Sequence, residues 1–138
     1  MRILNQYWNP LHKKTPVIDK DVYARGIELF NTGQYRDALL SWEIPWKKTY
    51  GQKERFIRGL IQSAGALHHL QEDRMDSAVH LINSALDIFS HYPGNYEGLD
   101  MEKFSKHLND LLMEIQLNKY SGKPKSWKTV KLEYQSDK

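Results

Sequence analysis

Apolar residues recur at helical spacing through most of this chain. Asp19 is suited to cap a first helix, in which Val22, Tyr23, Gly26, Leu29 and Phe30 return every three or four positions. Asn31-Thr32-Gly33 interrupts the pattern, and Gly33 suits the left-handed conformation that ends helices. A second helix is predicted from about Gln34, with the stripe Tyr35, Ala38, Leu39, Trp42 and Trp46. Pro45 lies late in it and has no N–H for the carbonyl of Ser41, so a kink or an end is expected there. The third helix, from about Gln52 to Leu70, spreads Phe56, Ile57, Leu60, Ile61, Ala64 and Leu67 over more than one face. A helix apolar most of the way round is central and buried. Gly59 and Gly65 inside it each cost roughly 1 kcal/mol relative to Ala, which close approach of a neighbouring helix would explain.

The fourth helix, about Asp73 to His91, is the cleanest amphipathic segment, with Met75, Ala78, Val79, Ile82, Ala85, Leu86 and Phe89 on one face. Tyr92-Pro93-Gly94-Asn95 stops it. Asp100 is placed to cap a fifth, whose stripe is Met101, Phe104, Leu108, Leu111, Leu112 and Ile115. Gly122 and Pro124 break any helix after that. From Val130 to Tyr134 apolar and charged residues alternate, an extended pattern. So short a strand makes no sheet alone, and the segment is expected either to be disordered or to lie along the helices. Gly33-x-Tyr35-x-x-Ala38, and Ala78 to Ala85 ending at Pro93, echo tetratricopeptide hairpins, but the 40-residue spacing from Ala38 to Ala78 exceeds that repeat's period. Shared helical-hairpin physics explains the echo better than a true array.

The expected fold is therefore all-α: a compact bundle of about five helices, weakly tetratricopeptide-like, over residues 19–117. An irregular N-terminal arm, 1–18, precedes it, since Pro10 and Pro16 forbid a continuous helix there. Its Tyr7 and Trp8 are expected to dock onto the body. A basic extended tail, 118–138, follows.

Composition narrows the function classes. The chain has 138 residues, 40% hydrophobic and 27% charged, and reads as one soluble domain. No run approaches a membrane span, and the opening residues are too short and too broken for a signal peptide, so a cytoplasmic location is expected. Zero cysteines exclude disulfides, thiolate metal sites and Cys nucleophiles. The net charge of +3 sits in the tail, where six Lys face Glu133 and Asp137, and the body is near neutral. A nucleic-acid-binding fold more often carries its basic face on the body.

Candidate chemistry is sparse. His68 and His69 are neighbours on a helix and point about 100° apart, so they do not chelate one ion together. Gln62 and His69 share a face, and Glu43 on the second helix is placed to meet it. Such a seam could bind a metal or act as acid and base through Glu43 and His69, or be a satisfied polar cluster between helices. Trp42 and Trp46, one turn apart, could line an apolar groove with Tyr35 and Tyr50, or belong to the core. The tail interleaves Lys123, Lys125, Lys128 and Lys131 with Trp127 and Tyr134, which suits an acidic protein surface. No phosphate loop, HExxH pair or GxSxG elbow occurs.

ARGIELFNTGQYRDALLSWEIPW, ERFIRGLIQSAGALHHL and NYEGLDMEKFSKHLNDLL together resemble the family called domain of unknown function 309, over roughly residues 20–117. GIELFNTGQY and RFIRGLIQSA are the most specific pieces, and YEGLD before a leucine-rich helix is similar to cyanobacterial-type members. The resemblance implies a compact all-helical bundle. By extension it implies a plastid stroma or a cyanobacterial cytosol. Some members are labelled predicted metal-dependent hydrolases on a motif of an acidic residue, Ala, His, Glu, two variable positions and Glu. In that register this chain reads Asp37, Ala38, Leu39, Leu40, Ser41, Trp42, Glu43. Leu39 and Leu40 stand where the motif has His and Glu, and leucine neither binds a metal nor moves a proton. Glu43, Gln62 and His69 keep their matching positions as a remnant.

The expectation is a non-catalytic protein-binding or scaffold protein with no cofactor and no bound metal. It would act through the aromatic groove, the arm or the tail on a protein partner with an acidic surface. A metal-dependent hydrolase using Glu43 and His69 is the first alternative, and nucleic-acid binding through the tail ranks behind it.

Overall fold

A computed structural model describes residues 19–48, 51–117, 124 and 126–136, with the side chains of 44–48 outside that description. The expected arm at 1–18, the side chain of Trp46, and Lys123 and Lys125 fall outside the described residues. Five α-helices follow in order: α1 (Lys20–Asn31), α2 (Tyr35–Lys48), α3 (Gln52–Gln71), α4 (Met75–Phe89) and α5 (Met101–Leu117). A two-residue hairpin, β1 (Asn95–Tyr96) and β2 (Leu99–Asp100), precedes α5, and a 3-10 turn spans Ser126–Thr129. The all-α class and the helix number are as expected. Among the described residues no helix is long and apolar enough to cross a membrane.

Local chemistry sets most of the helix ends. Asp19 caps α1, its Oδ1 accepting from Asp21 N at 3.0 Å and Val22 N at 3.2 Å. Gly33 at φ 83° closes α1, with Gln34 N donating to Leu29 O at 2.9 Å and Gly33 N to Phe30 O at 3.1 Å. That is the six-to-one and five-to-two pattern of a left-handed helix stop. The same pattern ends α3 at Asp73, φ 60°, where Arg74 N donates to His69 O and Asp73 N to Leu70 O. Asp100 caps α5 through Lys103 N at 3.0 Å. Of the kink or end expected at Pro45, the end does not occur: α2 runs on to Lys48. A proline this near a helix end removes one bond of a turn about to stop in any case.

Successive helices pack on one another, α1 on α2, α2 on α3, α3 on α4 and α4 on α5. Phe56, Ile57, Leu60, Ala64 and Leu67 of α3 are all fully buried, as its apolar girth predicted. Gly59 explains itself here: a Cβ there would lie 2.7 Å from a ring carbon of Phe89. Aromatic rings tie the layers together, Phe30 meeting Tyr35 at 5.2 Å and Phe104 at 5.7 Å, and Phe89 joining Phe104 to Phe56.

The hairpin before α5 was not foreseen. Its turn residues Glu97 and Gly98 both have positive φ, 49° and 81°, the geometry that matches a two-residue hairpin to strand twist. The tail then takes the second of its two expected courses and lies along the body. Val130 is 1% exposed and Leu132 2%. Tyr134 bridges Leu99 antiparallel, Asp100 N donates to Glu133 O and Gln135 N to Gly98 O, each at 2.9 Å. The extended segment thus pairs with β2 through a single antiparallel bridge.

Candidate functional site

Three of the predicted tail residues gather at one place. Trp127, Lys128 and Lys131 form a wall of a groove of about 360 Å³ whose other residues are Asn31, Thr32, Gly33, Tyr35 and Gln71. The α1–α2 turn supplies the floor, because its left-handed stop leaves open space over Gly33. The C-terminal segment is pinned beside it from three sides. The carboxylate of Glu114 on α5 accepts from both the backbone N–H and the hydroxyl of Ser126. The Trp127 ring packs edge-on to Tyr35 at 6.0 Å. The Asn31 side chain donates to Leu132 O at 2.8 Å and accepts from Leu132 N at 2.7 Å.

Electrostatically this groove is cationic. Lys131 Nζ donates to Asn31 O at 2.7 Å, where the end of α1 presents free carbonyls. Lys128 is exposed and its Nζ lies 5.7 Å from the Trp127 ring centroid, within cation–π reach. Gln71 Nε2 donates to Gly33 O at 2.9 Å and so ties the end of α3 to the same turn. Burial pushes the Tyr35 hydroxyl up to about 12, so it stays protonated at neutral pH. The arrangement can bind carboxylates and stack a flat group on Trp127.

The other predicted residues are dispersed. Trp42 is fully buried, and its Nε1 donates to Tyr23 O at 3.2 Å. Its ring lies on Gly26, whose absent side chain is the space the indole occupies. Trp42 is therefore core and lines no open groove. Glu43 is half-buried on α2. Gln62 is half-buried too, and its Oε1 is buried without a hydrogen-bond partner among the described residues, as is Nδ1 of His107. Leu39 packs against the core, whereas Leu40 is 45% exposed. A 3.6-residue turn places neighbours about 100° apart, so only one of two adjacent leucines can face inward here.

His69 lines a separate hollow of about 420 Å³ with Asp76, Ser77, His80 and Leu81, and neither Glu43 nor Gln62 lines it. Arg74 Nε donates to His69 Nδ1 at 2.7 Å. Nδ1 is thus an acceptor, and the neutral ring carries its proton on Nε2. Burial, then the Arg74 charge, then His68 hold the imidazole below its ordinary value. Among the described residues no three His, Cys, Asp or Glu side chains are placed to hold a metal ion. The donor set does not fit the metal that the resemblance implies, because two positions are hydrocarbon and His69 has neither nitrogen free to ligate.

Asn31, Thr32 and Gln71 were not singled out as site residues in advance. Asn31 read only as part of a helix break, and its partner lies about a hundred residues away. No local pattern could have paired them.

Residues 23–81, from α1 into α4, match the family model described as domain of unknown function, DUF309. That is the family the sequence resembles, and the matched stretch includes Leu39 and Leu40. No curated protein sequence matches the chain. Trp127, Lys128 and Lys131 lie beyond the matched stretch.

Proposed function

We propose that this chain, whose residues 23–81 match the DUF309 family model, is a non-catalytic binding module for an acidic protein segment. The segment is received at the groove between the α1–α2 turn and the C-terminal segment. One observation carries the reading. Trp127, Lys128 and Lys131 come from a stretch with little helical pattern, yet they are fastened side by side over the turn that closes α1. Two ammonium groups beside an aromatic face recognise carboxylates and little else of biological abundance except phosphates. The loss of the His-Glu pair to Leu39 and Leu40, and the engagement of His69 by Arg74, favour binding over hydrolysis.

The test is anisotropy of fluorescein-labelled polyglutamate against the full chain. Binding is expected to weaken with salt and to fall at least tenfold in Lys128→Glu. Equal affinity of wild type and Lys128→Glu would remove the groove from the explanation. Tighter binding of a random-sequence RNA of the same charge would move the function to nucleic acid.

A further inference from the structure

We infer that the outer edge of the extended C-terminal segment at Tyr134 accepts an extended peptide as an added β-strand along α1, the acidic end of that peptide reaching Lys128 and Lys131. The inference rests on the acidic-partner reading above and specifies how the partner is held.

Hydrogen-bond direction along the strand carries it. Glu133 O and Gln135 N face β2, bonding Asp100 N and Gly98 O. Leu132 N and O face the opposite way, onto the Asn31 side chain. Backbone groups alternate sides along a strand, so the N–H and C=O of Tyr134 share the side of Leu132. Among the described residues neither has a hydrogen-bond partner. Tyr134 is 59% exposed. An unpaired strand edge is a ready template for another chain.

That edge borders a real space. Tyr134 lines a groove of about 540 Å³ with Ala24, Arg25, Ile27 and Glu28 of α1. Ala24 and Ile27 offer an apolar floor to alternate side chains of an incoming strand, as in other cases of strand addition. The Asn31 amide already does at Leu132 what a neighbouring backbone would do: it donates one hydrogen bond and accepts another. Asn31 and Thr32 line both this groove and the lysine-bearing one, so the two adjoin around the end of α1. Arg25 is paired with Glu28, and Asp21, the other charged residue of this groove, lies ten positions before Asn31 along α1, so at the Asn31 end Lys128 and Lys131 set the sign of the peptide's end.

Tyr134→Pro tests this with little disturbance. It removes the outward N–H and spares both bonds to β2, and proline is tolerated on a strand edge facing solvent. The probe is fluorescein-labelled Val-Thr-Val-Glu-Glu-Glu, measured by anisotropy with the full chain. Binding is expected to weaken at least tenfold in Tyr134→Pro. It should weaken equally for wild type when the probe carries an N-methyl group on its second valine. The melting temperature of Tyr134→Pro should stay that of wild type, and should it fall, the N-methylated probe on wild type decides. Full affinity for the N-methylated probe, with loss in Lys128→Glu, would overturn strand addition and leave the lysine groove standing. Loss in Tyr134→Pro with full affinity in Lys128→Glu would overturn the acidic-partner reading, and with it the assignment of the peptide's end.

Discussion

Set 40 positions apart, the hairpins α1–α2 and α3–α4 bury the same places. Tyr23, Gly26, Ile27 and Phe30 correspond to Ser63, Ala66, Leu67 and Leu70, and all eight are buried. Ala38 and Trp42 correspond to Ala78 and Ile82, again all buried. Both turns use one left-handed residue, Gly33 in the first and Asp73 in the second. The residues between them differ in size. A glycine faces a tryptophan in the first hairpin, where the second has the more even sizes of Ala66 and Ile82. Helical geometry sets the register, and volume is then shared between partners in whatever proportion fills the gap. The last helical residue also has the same job in each hairpin. Gln71 reaches back to Gly33, and Asn31 reaches forward to Leu132. Each amide ties its hairpin to another part of the fold.

The strongest way to break this comparison is to exchange the volumes. Gly26→Ala places a Cβ 2.1 Å from Trp42 Nε1, against a buried ring with no room to give, and should cost about 3 kcal/mol in urea unfolding. Adding Trp42→Ile imports the second hairpin's pair. The double variant should recover at least about 1 kcal/mol relative to the sum of the single changes. Simple additivity would mean the two positions are not the matched pair that the register makes them.

Next in size is the tie at the end of each hairpin. Asn31→Ala leaves the N–H and C=O of Leu132 unpaired at a part-buried site and should cost about 2 kcal/mol. Gln71→Ala removes its bond to Gly33 and should cost about half as much. Amide exchange should speed up at Leu132 in the first variant and stay unchanged there in the second.

The turns should be nearly interchangeable. Gly33→Asp imports the residue used at position 73, has open space around it, and should cost less than about 1 kcal/mol. Gly33→Val, branched at Cβ in the same left-handed conformation, should cost clearly more in the same denaturation series.

The smallest effect is a pH dependence. His69 takes the place of Leu29 in the 40-residue register. Its imidazole is held below the ordinary value of 6.5, so the unfolded chain takes up its proton first as pH falls. Stability is therefore complete above that value and declines below it, towards the lowered folded value. His69→Leu should flatten the slope of thermal stability in that window. An unchanged slope would assign the dependence to another histidine.

Much of the fold was legible because its causes are local. Asp19, Gly33 and Asp100 work through neighbours within five positions, and the α5 stripe from Met101 to Ile115 is buried throughout. The site was less legible. Trp42 and Trp127 look alike in sequence, each an aromatic among mixed neighbours. Gly26 places one inside the core, and Tyr35 holds the other at a surface groove.

The sequence by itself determined the five helices, the stop of α1 at Gly33 and most of the faces they bury, since helical period, capping and left-handed turns depend on residues a few positions apart. It also determined that Leu39 and Leu40 cannot perform proton or metal chemistry. Only the tertiary structure decided where the tail goes. Val130 and Leu132 have to find burial against helices begun a hundred residues earlier, Asn31 has to meet Leu132, and Tyr134 has to pair with Leu99. Those contacts depend on how the bundle closes, and their closure brings Trp127, Lys128 and Lys131 to the end of α1.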